Sequence, residues 1–189
     1  MNTMKCVEPC SFGWWQIGVS RALMVAVAIG VAAMVAPAVA GASLSTSYSV
    51  SGVEIAATST EGTFVGTALG TRGDDAVWEA TVEHEALGPG CYLSFNGCPI
   101  TGGTFSLVNE HLQTINGDFT SGAIKLISEA PGCGVQVFSV VGNLTDVSTR
   151  TKNSGTGTFA VTLIHFRTLY QGHCTTFFAK VRGTVSFSF

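Results

Sequence analysis

The sequence predicts an all-β fold, an eight-stranded antiparallel up-and-down barrel, and three observations carry that prediction. The first is a repeat in three phases. Cys91, Cys133 and Cys174 recur at intervals of 42 and 41 residues. Gly62, Gly103, Gly142 and Gly183 each open a Gly-polar-apolar step, and Trp78, Phe119 and Phe159 follow the same period of about 40 residues. A repeat of this length is a supersecondary unit, and here it is a pair of strands. The second observation is that residues 41–189 show no sustained helical periodicity. Runs of Val, Thr, Phe and Ile are broken instead by Gly, Pro, Asn and Asp clusters, which reads as strands joined by turns. The third is glycine inside the strands, which relieves the bending that closure of a sheet demands. A two-sheet β-sandwich is the alternative architecture.

Taken in order, the strands are expected at about 45–57, 62–70, 76–86, 98–110, 112–129, 133–147, 156–169 and 174–189, with a bend in the fifth near Gly122. The turns follow from Arg72-Gly-Asp-Asp75, Gly88-Pro-Gly90, Pro131-Gly132 and Asn153-Ser-Gly155, whose residue types supply positive φ or pre-set turn geometry. The third strand alternates most cleanly. Trp78, Ala80, Val82 and His84 fall on one face, expected to point inward, and Glu79, Thr81, Glu83 and Glu85 on the other. The seventh repeats it with Phe159, Val161, Leu163 and His165.

The first 40 residues read separately. Arg21 precedes an apolar run from Ala22 to Ala36, followed by Pro37 and Ala38-Val39-Ala40. This is the pattern of a secretory signal cut after Ala40, with residues 1–18 a candidate misassigned start. A retained membrane anchor is the competing reading, disfavoured by Pro37 and the alanine-rich end. The expected location is therefore outside the cell, with no membrane attachment after cleavage. Residues 41–189 form a single domain, long enough for a true core.

That domain holds seven Lys/Arg against eleven Asp/Glu. It carries no basic stripe, so nucleic acid is not an expected partner. It retains four cysteines, Cys91, Cys98, Cys133 and Cys174, and in an oxidising compartment two disulfides are the expectation. In a meander the turns bearing all four gather at one rim. Pairing Cys91 with Cys98 and Cys133 with Cys174 is favoured, although three connectivities are formally open. The second pair requires two loops to lean together, because strands two places apart are roughly 9–10 Å apart and a disulfide needs Cα atoms within about 7 Å. No close-spaced Cys or His ligand pair marks a zinc site, and neither metal nor cofactor is expected.

His84 and His165 are the candidate site, with Trp78 and Phe159 beneath them and Lys125 at the equivalent step of the middle repeat. The Ser121-Gly122 bend can turn Lys125 outward. Imidazoles at the inner end of an apolar barrel can orient a ligand or act as acid and base. The plainer reading is two rim residues satisfied by their neighbours. His111 is expected at the opposite end and His173 on a loop. Asp74-Asp75 reads as a solvated hairpin tip rather than a calcium site, and Asn143-Leu-Thr145 is a glycosylation sequon within a strand. Nucleophile elbows, phosphate loops and dinucleotide fingerprints are all absent from the sequence. The alternating end Val181-Arg-Gly-Thr-Val-Ser-Phe187-Ser-Phe189 also suits an outer-membrane barrel, in which Trp78, Val82, Phe187 and Phe189 would face lipid. The cysteines and short turns favour the water-facing form.

The segment Gly155-Thr-Gly-Thr-Phe-Ala-Val-Thr-Leu-Ile-His165-Phe-Arg167, with Gly172-His-Cys174 and Gly183-Thr-Val-Ser-Phe187, resembles small exported all-β proteins of high-GC Gram-positive bacteria. The resemblance implies export and an all-β fold and brings no catalytic residues. In architecture the expected barrel is also similar to lipocalin-like, allene-oxide-cyclase-like and dirigent-like proteins, without the lipocalin Gly-x-Trp opening or C-terminal helix. The functional expectation is a secreted binder of an apolar small molecule. A structural or cell-envelope interaction protein is one alternative, and a cyclase- or isomerase-like enzyme using His84 and His165 is the other.

Overall fold

The computed structural model describes residues 45–152 and 154–189; the signal segment and start-site reading lie outside them. The described chain forms β1 (Ser45–Ala57), β2 (Glu61–Gly70), β3 (Asp75–His84), α1 (Pro89–Tyr92), β4 (Cys98–Asn109), β5 (Thr114–Glu129), β6 (Gln136–Thr149), β7 (Gly155–Tyr170) and β8 (His173–Ser188). Each strand pairs antiparallel with the next, and β8 returns to β1, so the eight strands close in up-and-down order. Closure leaves no free sheet edge, which removes the template for edge-to-edge aggregation. The sandwich alternative is thereby set aside.

The strand interiors obey the alternation. Ala80, Val82 and His84 of β3 are buried while Glu79 and Glu83 are exposed. Phe187 is 1 % exposed. Because Val82 and Phe187 point inward, the lipid-facing arrangement expected of an outer-membrane barrel is not the one adopted.

Four inward aromatic residues sit directly across from a glycine on the neighbouring strand: Trp78 from Gly66, Phe105 from Gly117, Phe159 from Gly142 and Phe187 from Gly157. A Cβ at these glycines would come within 2.8, 2.6, 2.7 and 3.1 Å of the facing ring. The rings therefore lie over bare backbone, and in one pair, Gly142 and Phe159, a glycine and an aromatic marker of the repeat face each other. The rings then meet one another inside the barrel. Phe105 stacks on Phe187 with centroids 5.3 Å apart, and Phe119 meets Phe159 edge-on at 5.0 Å, arrangements that aromatic quadrupoles favour.

This packing fills one half of the barrel. Leu107, Leu144, Val147 and Phe187 are fully buried. The end away from the cysteines is closed by Tyr48, whose hydroxyl donates to Asp74 Oδ2 at 2.8 Å from the β2–β3 turn. Asp74, expected as a solvated tip residue, instead caps the core.

The opposite rim carries both disulfides. Cys91 pairs with Cys98 and Cys133 with Cys174, at Cα separations of 4.9 and 5.2 Å. The two loops do lean together, and a residue outside the repeat holds them. Arg167 of β7 donates from Nε to the Gly134 carbonyl at 3.0 Å and from Nη2 to Glu129 Oε1 at 2.6 Å. Cys133 itself takes a positive φ of 60°, so β6 begins at Gln136 rather than at the cysteine. Between β3 and β4 the expected plain turn contains the short helix α1, whose first position is Pro89, where its missing N–H costs nothing.

Candidate functional site

The half of the barrel on the cysteine side is not completely filled. A cavity of about 150 Å³ lies between the aromatic packing and the rim, lined mainly by apolar side chains from every strand. Its floor is Phe105, Leu107, Phe119, Phe159 and Phe187, and its wall includes Trp78, Phe64 and Val161. Trp78 is anchored there because its indole Nε1 donates to the Thr67 carbonyl at 2.9 Å, leaving the ring's apolar body for the cavity.

The mouth is polar and small. His84, at the end of β3, is 6 % exposed and its Nδ1 lies 2.8 Å from the Glu85 carbonyl oxygen. A carbonyl oxygen only accepts, so Nδ1 carries a proton, and in the Nδ1–H tautomer Nε2 is the acceptor. His165, at the matching position of β7, stands 3.3 Å from Glu54 Oε2, with side chains 13 % and 10 % exposed. The two groups are at ion-pair distance, yet His165 Nε2 has no aligned hydrogen-bond partner among the described residues. Phe138 meets the His165 ring edge-on at 5.2 Å and fixes its plane. Glu54 reaches inward because β1 alternates Tyr48, Val50 and Glu54 onto its inner face, and because Gly62 across the barrel wall leaves space for Oε1.

A cap covers part of this mouth. Leu87 is drawn in by its backbone N–H donating to the Ser59 carbonyl at 3.0 Å. Tyr92 of α1 packs edge-on against Phe138 at 5.8 Å. The Cys91–Cys98 disulfide ties this segment to the start of β4. Leu87, Cys91 and Tyr92 all rest on the apolar core.

The structure thus brings together His84, His165, Trp78 and Phe159 around one cavity. It does not bring Lys125. The β5–β6 pairing slips between Phe119 and Ser121, and this irregularity turns Lys125 outward. Its ammonium donates to the Phe95 carbonyl at 3.0 Å and lies 5.2 Å from the Phe95 ring. His111 sits at the far end beside Glu110, 3.6 Å away, and His173 is exposed. Sequence reasoning missed Glu54. Its signal was the alternation of Tyr48, Val50, Gly52 and Glu54 along the first strand, the same period that placed the histidines. Among the described residues, no group of three or more His, Cys, Asp or Glu side chains could hold a metal ion.

No family model, curated protein or solved structure matches this chain. Its chemistry is therefore read from the site: a mainly apolar chamber whose mouth presents two imidazoles and a carboxylate.

Proposed function

We propose that this protein is exported and binds a small apolar molecule in the barrel, held against the aromatic floor and oriented by Glu54, His84 and His165. The observation that carries the reading is the coexistence of a dense aromatic floor with an unfilled apolar chamber above it, where side chains of ordinary size would have filled the space. Small-molecule sites have this character: concave, mostly apolar, with a few convergent polar groups. Two disulfides suit an oxidising compartment, in keeping with export.

Native mass spectrometry of the exported protein tests it. A non-covalent adduct that leaves on denaturation is expected, on a protein four hydrogens lighter than its reduced form. Absence of any adduct, together with no thermal shift across a library of small apolar compounds, would sink the reading.

A second reading rests on a different feature. The β7–β8 hairpin extends past its neighbours, and Leu169, Tyr170 and Phe177 are exposed near its tip, with Phe95 91 % exposed on the cap loop. Exposed apolar clusters mark interaction surfaces. If the protein works through this rim in the cell envelope, charged substitutions at Leu169 and Phe177 will abolish function while leaving any adduct in place.

A further inference from the structure

The polar groups at the cavity mouth are unequal in kind, and that inequality specifies the ligand's head. Glu54 and Glu61 contribute carboxylates. His84 offers an acceptor nitrogen, because its Nδ1 proton is committed to the Glu85 carbonyl. No lysine, arginine, asparagine or glutamine lines the cavity. Among the described lining residues the remaining donors are the Thr58 hydroxyl, which is directed at the Glu61 carbonyl at 3.5 Å, and His165, which stands against Glu54 without an aligned hydrogen bond. The buried atom left without a hydrogen-bond partner among the described residues is His165 Nε2, beside a Glu54 side chain that is 10 % exposed, and a buried polar atom without its partner is costly.

Resting on the binding reading above, we infer that the ligand is a small hydrophobic molecule whose single polar group donates hydrogen bonds, a hydroxyl or a protonated amine, and that anionic heads are rejected. The donor head sits between Glu54 and the His84 acceptor and supplies what His165 leaves unmet. A carboxylate head would face Glu54 and Glu61 with no fixed cation to pair with. Size is bounded as well. A dry apolar cavity of roughly 150 Å³ accepts a benzene-sized guest, so the body is a single ring or a short chain of comparable bulk, and not a sterol, a long-chain lipid or a fused polycycle. Trp78, Phe119 and Phe159 around the cavity favour a flat ring.

Four compounds on one skeleton test this with the full chain: toluene, benzyl alcohol, benzylamine and benzoate, with affinities from calorimetry or ligand-observed NMR. Benzyl alcohol and benzylamine are expected to bind about tenfold more tightly than toluene, as one charge-assisted hydrogen bond implies, and benzoate more weakly than toluene. In E54Q the preference for benzylamine over toluene should fall about tenfold, with toluene unchanged. E83Q, on the outer face of the same barrel end, should leave every ratio as it was. The comparison on the unaltered protein stands even if E54Q fails to fold. Benzoate binding as tightly as the alcohol, or toluene as tightly as either donor, overturns this inference while leaving the cavity a binding site. Failure of all four to bind overturns this inference, and overturns the binding reading as well when no adduct and no thermal shift across the wider library accompany it.

Discussion

At the scale of single residues, the two ends of the barrel solve opposite problems with carboxylates. At the closed end, Asp74 is satisfied: the buried Tyr48 hydroxyl donates to it, and the exchange is visible in the tyrosine. Burial, first, and then the hydrogen bond and charge of Asp74 push the Tyr48 pKa up from 10.0 to about 12. The folded protein therefore holds this proton to higher pH than the unfolded chain does. The associated stability is fully present below pH 10 and is lost as pH rises toward 12. Tyr48→Phe should cost about 1–3 kcal/mol near neutrality by leaving Asp74 without its donor. Its deficit relative to the unaltered protein should shrink between pH 10 and pH 12, the interval set by the tyrosine's two pKa values. Urea unfolding at stepped pH checks both, and a deficit that stays constant through that interval would show that Tyr48 does not titrate as argued. At the open end Glu54 stands beside His165, whose Nε2 has no hydrogen-bond partner among the described residues, and that unmet capacity is what points to a ligand.

At the scale of elements, the cross-strand glycine and aromatic pairs are the working unit of the barrel. Each glycine admits a ring that a Cβ would displace, so Gly142→Val should be severe. The new Cβ would lie 2.7 Å from Phe159 Cζ, and it would also crowd the Ser121 carbonyl. Overpacking of this kind costs about 1–3 kcal/mol or more, and chemical denaturation should show it as a lowered midpoint. The disulfides differ in span and in task. Cys133–Cys174 closes a separation of 41 residues and Cys91–Cys98 one of 7. On loop-closure entropy the first contributes about 4 kcal/mol and the second about 2. Replacing the Cys133–Cys174 pair by serines should therefore cost more stability. Replacing Cys91 and Cys98 should cost less, but should loosen the cap formed by Leu87 and Tyr92 and speed ligand exchange. Equal losses of stability and unchanged exchange in the two variants would refute this division of labour.

At the scale of the whole molecule, closure makes stability a shared property. β1 and β8, which begin and end the described chain, pair from Ser45↔Ser188 to Val53↔Lys180, and Phe187 near the end is among the most buried side chains. Deleting residues 183–189 should therefore not fray one edge but abolish the fold, exposing two strand edges and the apolar interior. Loss of soluble protein and of the β-sheet circular dichroism signal is the expected result; a soluble, folded truncated chain would mean that the sheet does not depend on closure. The outer surface is divided too. Glu79, Glu83 and Glu85 sit on the β3 side, whereas Lys125, Lys180 and Arg182 lie on β5 and β8.

The sequence by itself determined the strands, their order and the inward direction of His84 and His165, because these rest on a local rule: side chains alternate along a strand, and glycine clusters end it. It also favoured the cysteine pairing, because a meander sorts its turns to two ends. What it left open depended on register and depth. Lys125 shares the spacing of the histidines, yet an irregularity after Phe119 puts it outside; such slips cost little locally and are decided by how neighbouring strands fit. Glu54 is one polar residue on an otherwise ordinary strand, and its role exists only because closure carries β1 round to β8, next to the strand that bears His165. Whether the interior is full or hollow was likewise not local. Every inward residue looked able to fill the barrel, and only the tertiary structure decided that four of the rings lie over a glycine of a neighbouring strand and that a cavity remains between the aromatic packing and the cysteine rim.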